Sequence, residues 1–432
     1  MRLQGAQVHE LAHAHAQALS ASRYDVTPPH DPYRALRFPE FRWYLGGAVA
    51  LVIATQIQTL VMGWQVYHIT RDPLSLGFIG LAEALPFFSL SLFGGWAADR
   101  QDRRRLTLAT LWVMLLGAVL LLGLNLGAPP AAAWPFYAIQ ALSGLARAFY
   151  RPAFQALGTE LVPVEAYQSA TTWRGSTFQL ALVAGPAVGG LISGFAGAPW
   201  AYLTEAMLMG FGICALSRLT RRPRRPAAAP IVASLLQGVA FVFGHGLLLS
   251  TLSLDLFAVL FGGAAALLPV FAADILKVGP QGLGLLRSAP AAGSVAMGLW
   301  LAHHPPGRRT GPVFLFCVGG FGLCWMAFSL STVFWLSLTL LAVSGAMDCV
   351  SMVIRGTLLQ ALTPPDIMGR VQAVNGYFIG SSNELGSFEA GLAARLLGLI
   401  PSVLFGGLVT LGAVGITAWR VPELRRLKHL AG

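Results

Sequence analysis

Long apolar runs separated by short polar segments make up most of this chain. A helix needs about 20 apolar residues to cross the hydrocarbon core of a bilayer. Dividing the runs by that length predicts twelve membrane-spanning helices, and an even number returns both termini to the same side of the membrane. Several runs exceed the minimum, which indicates helices that are tilted or extend beyond the membrane. The predicted spans are residues 41–68, 75–98, 106–126, 133–157, 166–193, 197–218, 246–272, 281–302, 311–330, 332–361, 370–397 and 400–420.

One polar segment fixes the placement of its neighbours. Residues 94–105, GGWAADRQDRRR, lie between the second and third predicted spans, and six of these twelve side chains are ionised. Each charge costs at least about 2.5 kcal/mol in the hydrocarbon core, so this hairpin must lie in water at the membrane surface. Its four arginines assign that surface to the cytoplasm by the positive-inside rule.

Composition agrees with a protein that crosses the membrane many times. Of the 432 residues, 55% are hydrophobic and 11% are charged, whereas about a quarter are charged in soluble proteins. The formal net charge is +11, and by the predicted topology 21 lysines and arginines fall on the hairpin side, three on the opposite side and five within spans. The basic charge therefore reflects membrane orientation and contact with anionic lipids, and does not indicate nucleic-acid binding.

The spans divide the chain into two halves of six. Residues 218–230, between spans six and seven, are basic and proline-rich, and residues 231–243 suit either an amphipathic surface helix or an extension of span seven. The segment RPAFQAL at 151–157 recurs as RGTLLQAL at 355–362, which indicates an internal repeat. We predict a cytoplasmic tail, a first bundle, a linker, a second bundle and a cytoplasmic tail at residues 1–40, 41–218, 219–245, 246–420 and 421–432.

Neither an enzyme nor a cofactor is indicated. The four cysteines lie in apolar runs without a CxxC pair, and the sequence contains no phosphate-binding loop or nucleophile constellation. His9, His13 and His15 lie close together in the N-terminal tail, but a solvated tail explains them better than a metal site. We expect no metal, no cofactor and no enzymatic activity.

The hairpin resembles the loop between helices 2 and 3 of the major facilitator superfamily, G-x-x-x-D-R-x-G-R-R/K-R/K. Gly95, Asp99 and Arg100 match it, Asp102 replaces the second glycine, and residues 103–105 supply the final arginines. This version is similar to that of the transmembrane secretion effector branch, which includes siderophore exporters of the enterobactin type and macrolide efflux pumps. The resemblance implies an all-α membrane protein with twelve transmembrane helices in two pseudo-symmetric six-helix bundles, the major facilitator fold.

This resemblance implies that two motifs control the conformation of the protein. In the superfamily, aspartates similar to Asp99 hold the cytoplasmic side closed against helix 11, although this acid could simply offset its arginine neighbours. Residues 185–190 in span five resemble the GPxxGG pattern of antiporters, and tight helix packing is the alternative. The implied switch residues are Gly95, Asp99, Arg100, Arg103, Arg104, Gly185, Pro186, Gly189 and Gly190.

Ionisable residues at membrane depth are the candidates for proton coupling, because each is costly unless it is paired or hydrated. A carboxylate that is desolvated in one state and hydrated in another changes its pKa between the states and can load or release a proton. Static ion pairs between helices are the equally weighted alternative. Gln140 stands where proton-coupled drug exporters carry an arginine, which leaves Arg147, two turns along the same face, as a conceivable substitute. The candidates are Glu83, Arg147, Arg174, Asp255, Asp348, Glu384 and Glu389, whereas Glu205 is not expected to face water.

Polar and aromatic residues on the helices expected to line a central cavity suit a bulky amphipathic ligand. Packing of aromatic residues is the alternative for each of them. The substrate-binding candidates are Gln56, Trp64, Trp173, Gln179, Asn375, Tyr377, Phe378 and Asn383.

These features predict a secondary transporter of the bacterial cytoplasmic membrane with both termini in the cytoplasm. We expect a monomer that works by alternating access and exports a small amphipathic molecule, siderophore or drug-like, in exchange for protons, in contact with membrane lipids. One alternative is an importer or uniporter of the same fold. Another is a membrane receptor or lipid-handling protein that transports nothing.

Overall fold

The computed structural model describes residues 31–127, 130–220, 231–304, 309–364 and 367–427. Within these ranges the chain is helical and forms no β-strand. The three histidines of the N-terminal tail and most arginines of the linker lie outside the described residues. The prediction of an all-α protein is confirmed.

Twelve long helical segments follow one another along the chain. Nine of the described segments are long and apolar enough to cross a membrane by length and composition. The other three, α4, α8 and α11, fall short because charged, glycine, serine and proline residues interrupt their apolar runs. The segments are α1 (Pro39–Thr70), α2 (Pro73–Arg100), α3 (Arg103–Asn125), α4 (Trp134–Glu160), α5 (Tyr167–Phe195), α6 (Ala198–Ser217), α7 (Gly246–Gly262, with an irregular continuation to Ile275), α8 (Gly279–His303), α9 (Thr310–Leu330), α10 (Phe334–Leu362), α11 (Met368–Leu397) and α12 (Leu399–Arg420).

Tight turns join helices where two predicted spans come close in sequence. Arg71 ends α1 in the left-handed backbone region with φ 53°, and the Asp72 carboxylate caps α2 by accepting the Leu74 N–H at 3.0 Å. At the hairpin, Asp102 caps α3 by accepting the Arg105 N–H at 3.0 Å. These caps satisfy N–H groups that the first turn of a helix leaves without a partner. Polar turn residues therefore set where these helices start.

The helices pack as two bundles with the same internal arrangement. In the first half, α1 packs on α5 and α6, α4 packs on α2 and α3, and α3 packs on α6. The second half repeats these five pairs with each helix number raised by six: α7 on α11 and α12, α10 on α8 and α9, and α9 on α12. Between the bundles, the main contacts are α2 with α11 and α5 with α8, and these two pairs are also related by the repeat. The pseudo-symmetric pair of six-helix bundles is confirmed, while the residue boundaries of the domains stay a prediction.

The two bundles meet mainly on the side opposite the hairpin, which we call the far side. There, Gly77 of α2 lies against Phe388 of α11, and Gly190 of α5 lies against Gly284 of α8. Glycine allows these close backbone approaches because it has no Cβ. Towards the hairpin side, α5 contains no buried residue between positions 171 and 180. The bundles are therefore apposed on the far side and separate towards the hairpin side.

A separate helix, Ile231–Gly244, follows the linker. It stops before His245, whose extended backbone breaks the path into α7. Val242 is buried in a cluster with Val371 of α11, and the Arg370 guanidinium donates a hydrogen bond to the Gln237 side chain. This segment is thus a helix of its own that packs beside α11, and not an extension of span seven.

Candidate functional site

A cavity of about 690 Å³ lies in the first bundle, among the hairpin-side halves of α1, α4 and α5. Its volume falls within the range of small-molecule sites, about 300–1,000 Å³. Of the described residues that line it, three are arginines, Arg147, Arg151 and Arg174, and none is acidic. The wall therefore presents positive charge between the membrane middle and the hairpin side, where low-dielectric walls strengthen its attraction for anions.

A stack of aromatic rings forms the apolar part of the same wall. The Tyr44 and Phe154 rings stack at 4.5 Å between centroids, and Tyr150 stacks on Phe154 at 4.9 Å. The Arg174 guanidinium lies 5.8 Å from the Tyr44 ring centroid, within range of a cation–π interaction. The cavity thus offers flat apolar surfaces next to cations, which suits an amphipathic ligand.

Glu83 on α2 contacts an arginine of this wall, and it is only 8% exposed. Its carboxylate forms an ion pair with Arg147 and accepts a hydrogen bond from the Gln140 amide at 2.5 Å. The backbone of α2 can come this close to α4 because Gly144 has no Cβ, which would lie 2.2 Å from the Glu83 carbonyl oxygen. Gln140 stands where proton-coupled drug exporters carry an arginine, and Arg147 is its conceivable substitute. Both side chains therefore bind the same carboxylate.

Glu384 brings negative charge to the cavity from the other bundle. Its carboxylate lies near Arg147 and Arg151 across the bundle interface, but it forms no ion pair with either of them within the described ranges. Its backbone carbonyl lies against Gly80 of α2, which fixes this part of α11 beside the first bundle. Glu384 is therefore an acid of the second bundle that stands close to two arginines of the first.

The other acids predicted for proton coupling lie in the second bundle. Asp255 on α7 forms an ion pair with Arg355 on α10, and both side chains are buried. This pair, like Glu83 with Arg147, fits the static ion-pair alternative in this conformation. Asp348 and Glu389 are partly buried, and neither takes part in an ion pair within the described ranges.

Ion pairs between the bundles close the far side. The Arg395 guanidinium at the end of α11 lies 3.0 Å from the Asp72 carboxylate at the start of α2. Asp274 lies 3.5 Å from Arg71, and it also accepts a hydrogen bond from the Tyr67 hydroxyl of α1. We call these five residues the far-side gate.

The local structure around Asp274 is unusual. The continuation of α7 winds as a π-helix over Phe271–Ile275, a rare form that is frequently found at functional sites. Lys277, which follows it, has φ 53°, the same value as Arg71 at the end of α1. The two bundles thus end their first helices alike and bring them together at the gate.

The GPxxGG motif packs α5 against two partners. A Cβ on Gly185 would lie 2.5 Å from Gln56 of α1, and one on Gly190 would lie 2.6 Å from the Pro280 carbonyl oxygen of α8. A Cβ on Gly189 would lie 3.1 Å from the Cα of Ile57 in α1. The motif therefore sits at the contact between bundles as well as inside the first bundle, and Pro186 is buried within it.

The hairpin residues lie at the ends of α2 and α3. Arg103 binds the Glu160 carboxylate of α4 at 2.6 Å and lies 4.0 Å from Asp99. The Arg104 guanidinium donates to the Ser217 carbonyl at the end of α6. Arg100 lies 4.7 Å from the centroid of the Trp96 ring, while Gly95 lies in the last two turns of α2. The switch role of these residues stays a prediction.

Among the substrate candidates of the first bundle, Gln56 lines the cavity. The Trp173 indole instead donates to the Pro32 carbonyl at 2.9 Å, which ties α5 to the N-terminal segment. Trp64 packs on His68 with ring centroids 4.3 Å apart, towards the far side. Gln179 is half-buried on α5 and does not line the cavity.

The α11 candidates lie outside this cavity as well. The Asn383 amide donates to the Ile379 carbonyl of its own helix at 2.8 Å, and Phe378 packs near the helix that follows the linker. The Asn375 side-chain oxygen is buried without a hydrogen-bond partner among the described residues. Tyr377 reaches the first bundle, where its hydroxyl donates to Ser91 at 3.3 Å.

Sequence reasoning missed the far-side gate and two arginines, Arg151 and Arg287. The gate residues lie in short polar turns that signal a helix boundary but not a partner. The two arginines were recognised as lying within spans, a signal that could have placed them among the candidates because membrane arginines are costly.

Comparisons with known proteins agree with this architecture. The profile of the transmembrane secretion effector family matches residues 30–430. The enterobactin exporter EntS of Shigella flexneri is 26% identical over 416 residues, which cover 93% of this chain and 94% of that protein. The enterobactin exporter EntS of Salmonella typhimurium is 25% identical over 413 residues, with coverages of 93% and 94%.

Solved structures show the same fold at low identity. The D-xylose-proton symporter matches with a TM-score of 0.69 and 14% identity, covering 91% of this chain and all of that chain. The nucleoside transporter NupG matches with a TM-score of 0.67 and 12% identity, covering 88% of this chain and 98% of that chain. Together with the paired six-helix bundles and the hairpin motif, the match over residues 30–430 shows that the chain belongs to the transmembrane secretion effector family of the major facilitator superfamily and is a multi-pass membrane transporter, not an enzyme.

Proposed function

We propose that the protein is a secondary active exporter that moves a small amphipathic molecule out of the cell in exchange for protons. The observation that carries this proposal is the arrangement of the bundles, which meet on the far side and leave an arginine-lined cavity of about 690 Å³ on the hairpin side. Access from one side at a time is what an alternating-access carrier requires. Relatives named as enterobactin exporters, 26% and 25% identical, favour export of a siderophore-like or drug-like molecule.

The excess of basic residues on the hairpin side supports placing that side in the cytoplasm. In this orientation the conformation receives substrate from the cytoplasm. The far-side ion pairs, Asp72 with Arg395 and Asp274 with Arg71, must break when the carrier opens outwards. In that state Asp99 approaches the first turn of α11, where the helix dipole favours a negative charge by about 0.3–1 kcal/mol.

Exchange of cargo for protons requires that a carrier holding neither cargo nor proton does not change conformation. The attraction between Glu384 and the arginines Arg147 and Arg151 across the interface supplies such a restraint. A proton on Glu384 removes the negative charge and with it the attraction. We assign Glu384 the role of the exchangeable proton site for this reason, with Glu83 as the acid that positions Arg147.

The first test is transport of enterobactin, the molecule named for the relatives, into inside-out membrane vesicles. Wild-type protein should accumulate it when the vesicle interior is acidic and should lose that accumulation when the proton gradient is dissipated. Glu384→Gln mimics a permanently protonated carboxyl, so its uptake should continue down the enterobactin gradient and lose its dependence on pH.

Glu165→Gln, a change of the same kind at an exposed position between α4 and α5, is the matched control and should behave as wild type. Full pH dependence in Glu384→Gln would remove that residue from the proton path. Uptake by wild type that ignores the proton gradient would replace the proposal with a uniporter or an importer.

A further inference from the structure

Arg287 on α8 is a cation at membrane depth without a protein partner. No hydrogen bond, ion pair or ring contact involves it within the described ranges, and its side chain is only partly exposed. The guanidinium stays protonated at any physiological pH, and a charge at this depth is costly unless water or an opposite charge reaches it. Water or an opposite charge that the described protein does not supply must therefore reach this guanidinium.

The rotation of α8 points Arg287 away from lipid. Leu285, two residues earlier, is 40% exposed on the outer surface, and two residues of helix correspond to about 200° of rotation. On the inner faces of α8, the Ser288 hydroxyl donates to the Val183 carbonyl of α5 at 2.7 Å. The Ser294 hydroxyl donates to the Gly345 carbonyl of α10 at 2.8 Å. Arg287 lies in the sector between these two contacts, which faces the space between the bundles.

The depth of Arg287 matches the deep end of the cavity. Its neighbour Ser288 bonds to the carbonyl of Val183 on α5, and the residue before Val183, Leu182, lines the cavity. Arg287 therefore stands on the second bundle at the level where the cavity of the first bundle ends. Arg287 itself does not line the cavity, but it lies near the level of Leu182, where the lining of the first bundle ends.

Building on the proposed function, we propose that Arg287 is the second bundle's contact with a negatively charged group of the transported molecule, which is accordingly an amphipathic anion. Its apolar part would lie on the rings of Tyr44, Phe154 and Tyr150. An anion between the bundles attracts cations on both of them. Binding therefore favours approach of the bundles on the hairpin side, the motion that export needs.

The same chemistry relates substrate to Glu384. An anion bound near Arg151 competes with the Glu384 carboxylate for that arginine. Substrate and proton thus release the same attraction between the bundles, one by competition and the other by neutralisation. Either ligand frees the carrier to change conformation, which is the rule that an exchanger obeys.

The test is direct binding to purified full-length protein, measured by isothermal titration calorimetry. Three probes share one ring system and differ in charge: naphthalene-2-sulfonate, 2-naphthalenemethanol and 2-naphthylmethylammonium. Wild type should bind the sulfonate at least about tenfold more tightly than the other two, and Arg287→Gln should weaken the sulfonate by about tenfold, as expected for loss of a charge-assisted contact.

Arg309→Gln, at an exposed position before α9, is the control and should bind as wild type. Arg287→Lys keeps the charge and should fall between wild type and Arg287→Gln, and the melting temperature of each variant checks its folding. Undetectable sulfonate binding, equal binding of the three probes, or unchanged affinity in Arg287→Gln overturns the inference. Proton-driven export of a cation would overturn the role of Arg287 and leave the proposed function standing. Anion binding at Arg287 without proton-driven export would support the role of Arg287 and overturn the proposed function.

Discussion

Single residues at membrane depth were the most informative part of the sequence, because a charge in the hydrocarbon core has to be compensated. Glu83 and Asp255 could be singled out in this way. The pairing of these acids with Arg147 and Arg355 could not be predicted, since each pair joins helices whose rotation about their own axes decides which side chains meet. The sequence therefore predicts that such a residue matters and leaves its partner open.

Glu205 on α6 is an acid at membrane depth that has no partner among the described residues. It is completely buried, and neither carboxylate oxygen has a hydrogen-bond partner among the described residues. A buried polar group without a partner costs about 1–3 kcal/mol. Glu205→Met should therefore raise the free energy of unfolding by about that amount, as measured by denaturant-induced unfolding in detergent.

The contrasting change is Glu83→Met, which removes the acid from a buried ion pair and leaves the Arg147 charge alone. It should lower the free energy of unfolding by about 3–5 kcal/mol. If Glu205→Met instead lowers the free energy of unfolding, the Glu205 carboxyl group makes a contact that the structure does not contain.

At the scale of helices, the apolar pattern was sufficient for number and order but not for function. The helices that fail the composition criterion, α4, α8 and α11, carry Arg147, Arg287 and Glu384, and such charged residues lower the hydropathy of a span. The π-helix at Phe271–Ile275 had no sequence signal, since its winding depends on contacts with other helices. Low hydropathy thus pointed to α4, but not to α1 and α5, which line the cavity and still satisfy the criterion.

The contact of α5 with α8 gives a prediction at this scale. A Cβ on Gly190 would lie 2.6 Å from the Pro280 carbonyl oxygen, so Gly190→Ala should push the bundles apart on the far side. We expect transport to fall by about tenfold or more, consistent with a packing penalty of about 1–3 kcal/mol. Transport assays in vesicles measure this effect.

Gly210, on α6, provides the control, because a Cβ added there would meet no atom within 4 Å and the residue does not line the cavity. Gly210→Ala should transport as wild type does. Equal activity of the two variants would show that the close approach of α5 and α8 is not needed for the transport cycle.

For the whole molecule, the internal repeat and the basic hairpin predicted two bundles of six helices, and the packing pairs confirm them. The far-side gate escaped prediction because its residues are far apart in sequence: Asp72 and Arg395 are 323 positions apart. Only the approach of one bundle to the other makes them neighbours. The gate is also what the account of alternating access depends on, since its ion pairs join the two bundles in this conformation.

The most direct measurement records both sides of the molecule at once, by electron–electron double resonance between spin labels in lipid bilayers. The native cysteines are first replaced by serine. Labels at Gln101 and His304 report the opening on the hairpin side, and labels at Gly127 and Thr332 report the far side, all at exposed positions.

Removing the gate acids together, Asp72→Asn with Asp274→Asn, should lengthen the far-side distance and shorten the hairpin-side distance. Asp31→Asn, which breaks a 2.6 Å ion pair with Arg37 inside one surface segment, should change neither distance. Two bundles that alternate in access require this opposite response. Distances that stay unchanged in the double variant, or that lengthen on both sides, would contradict the account.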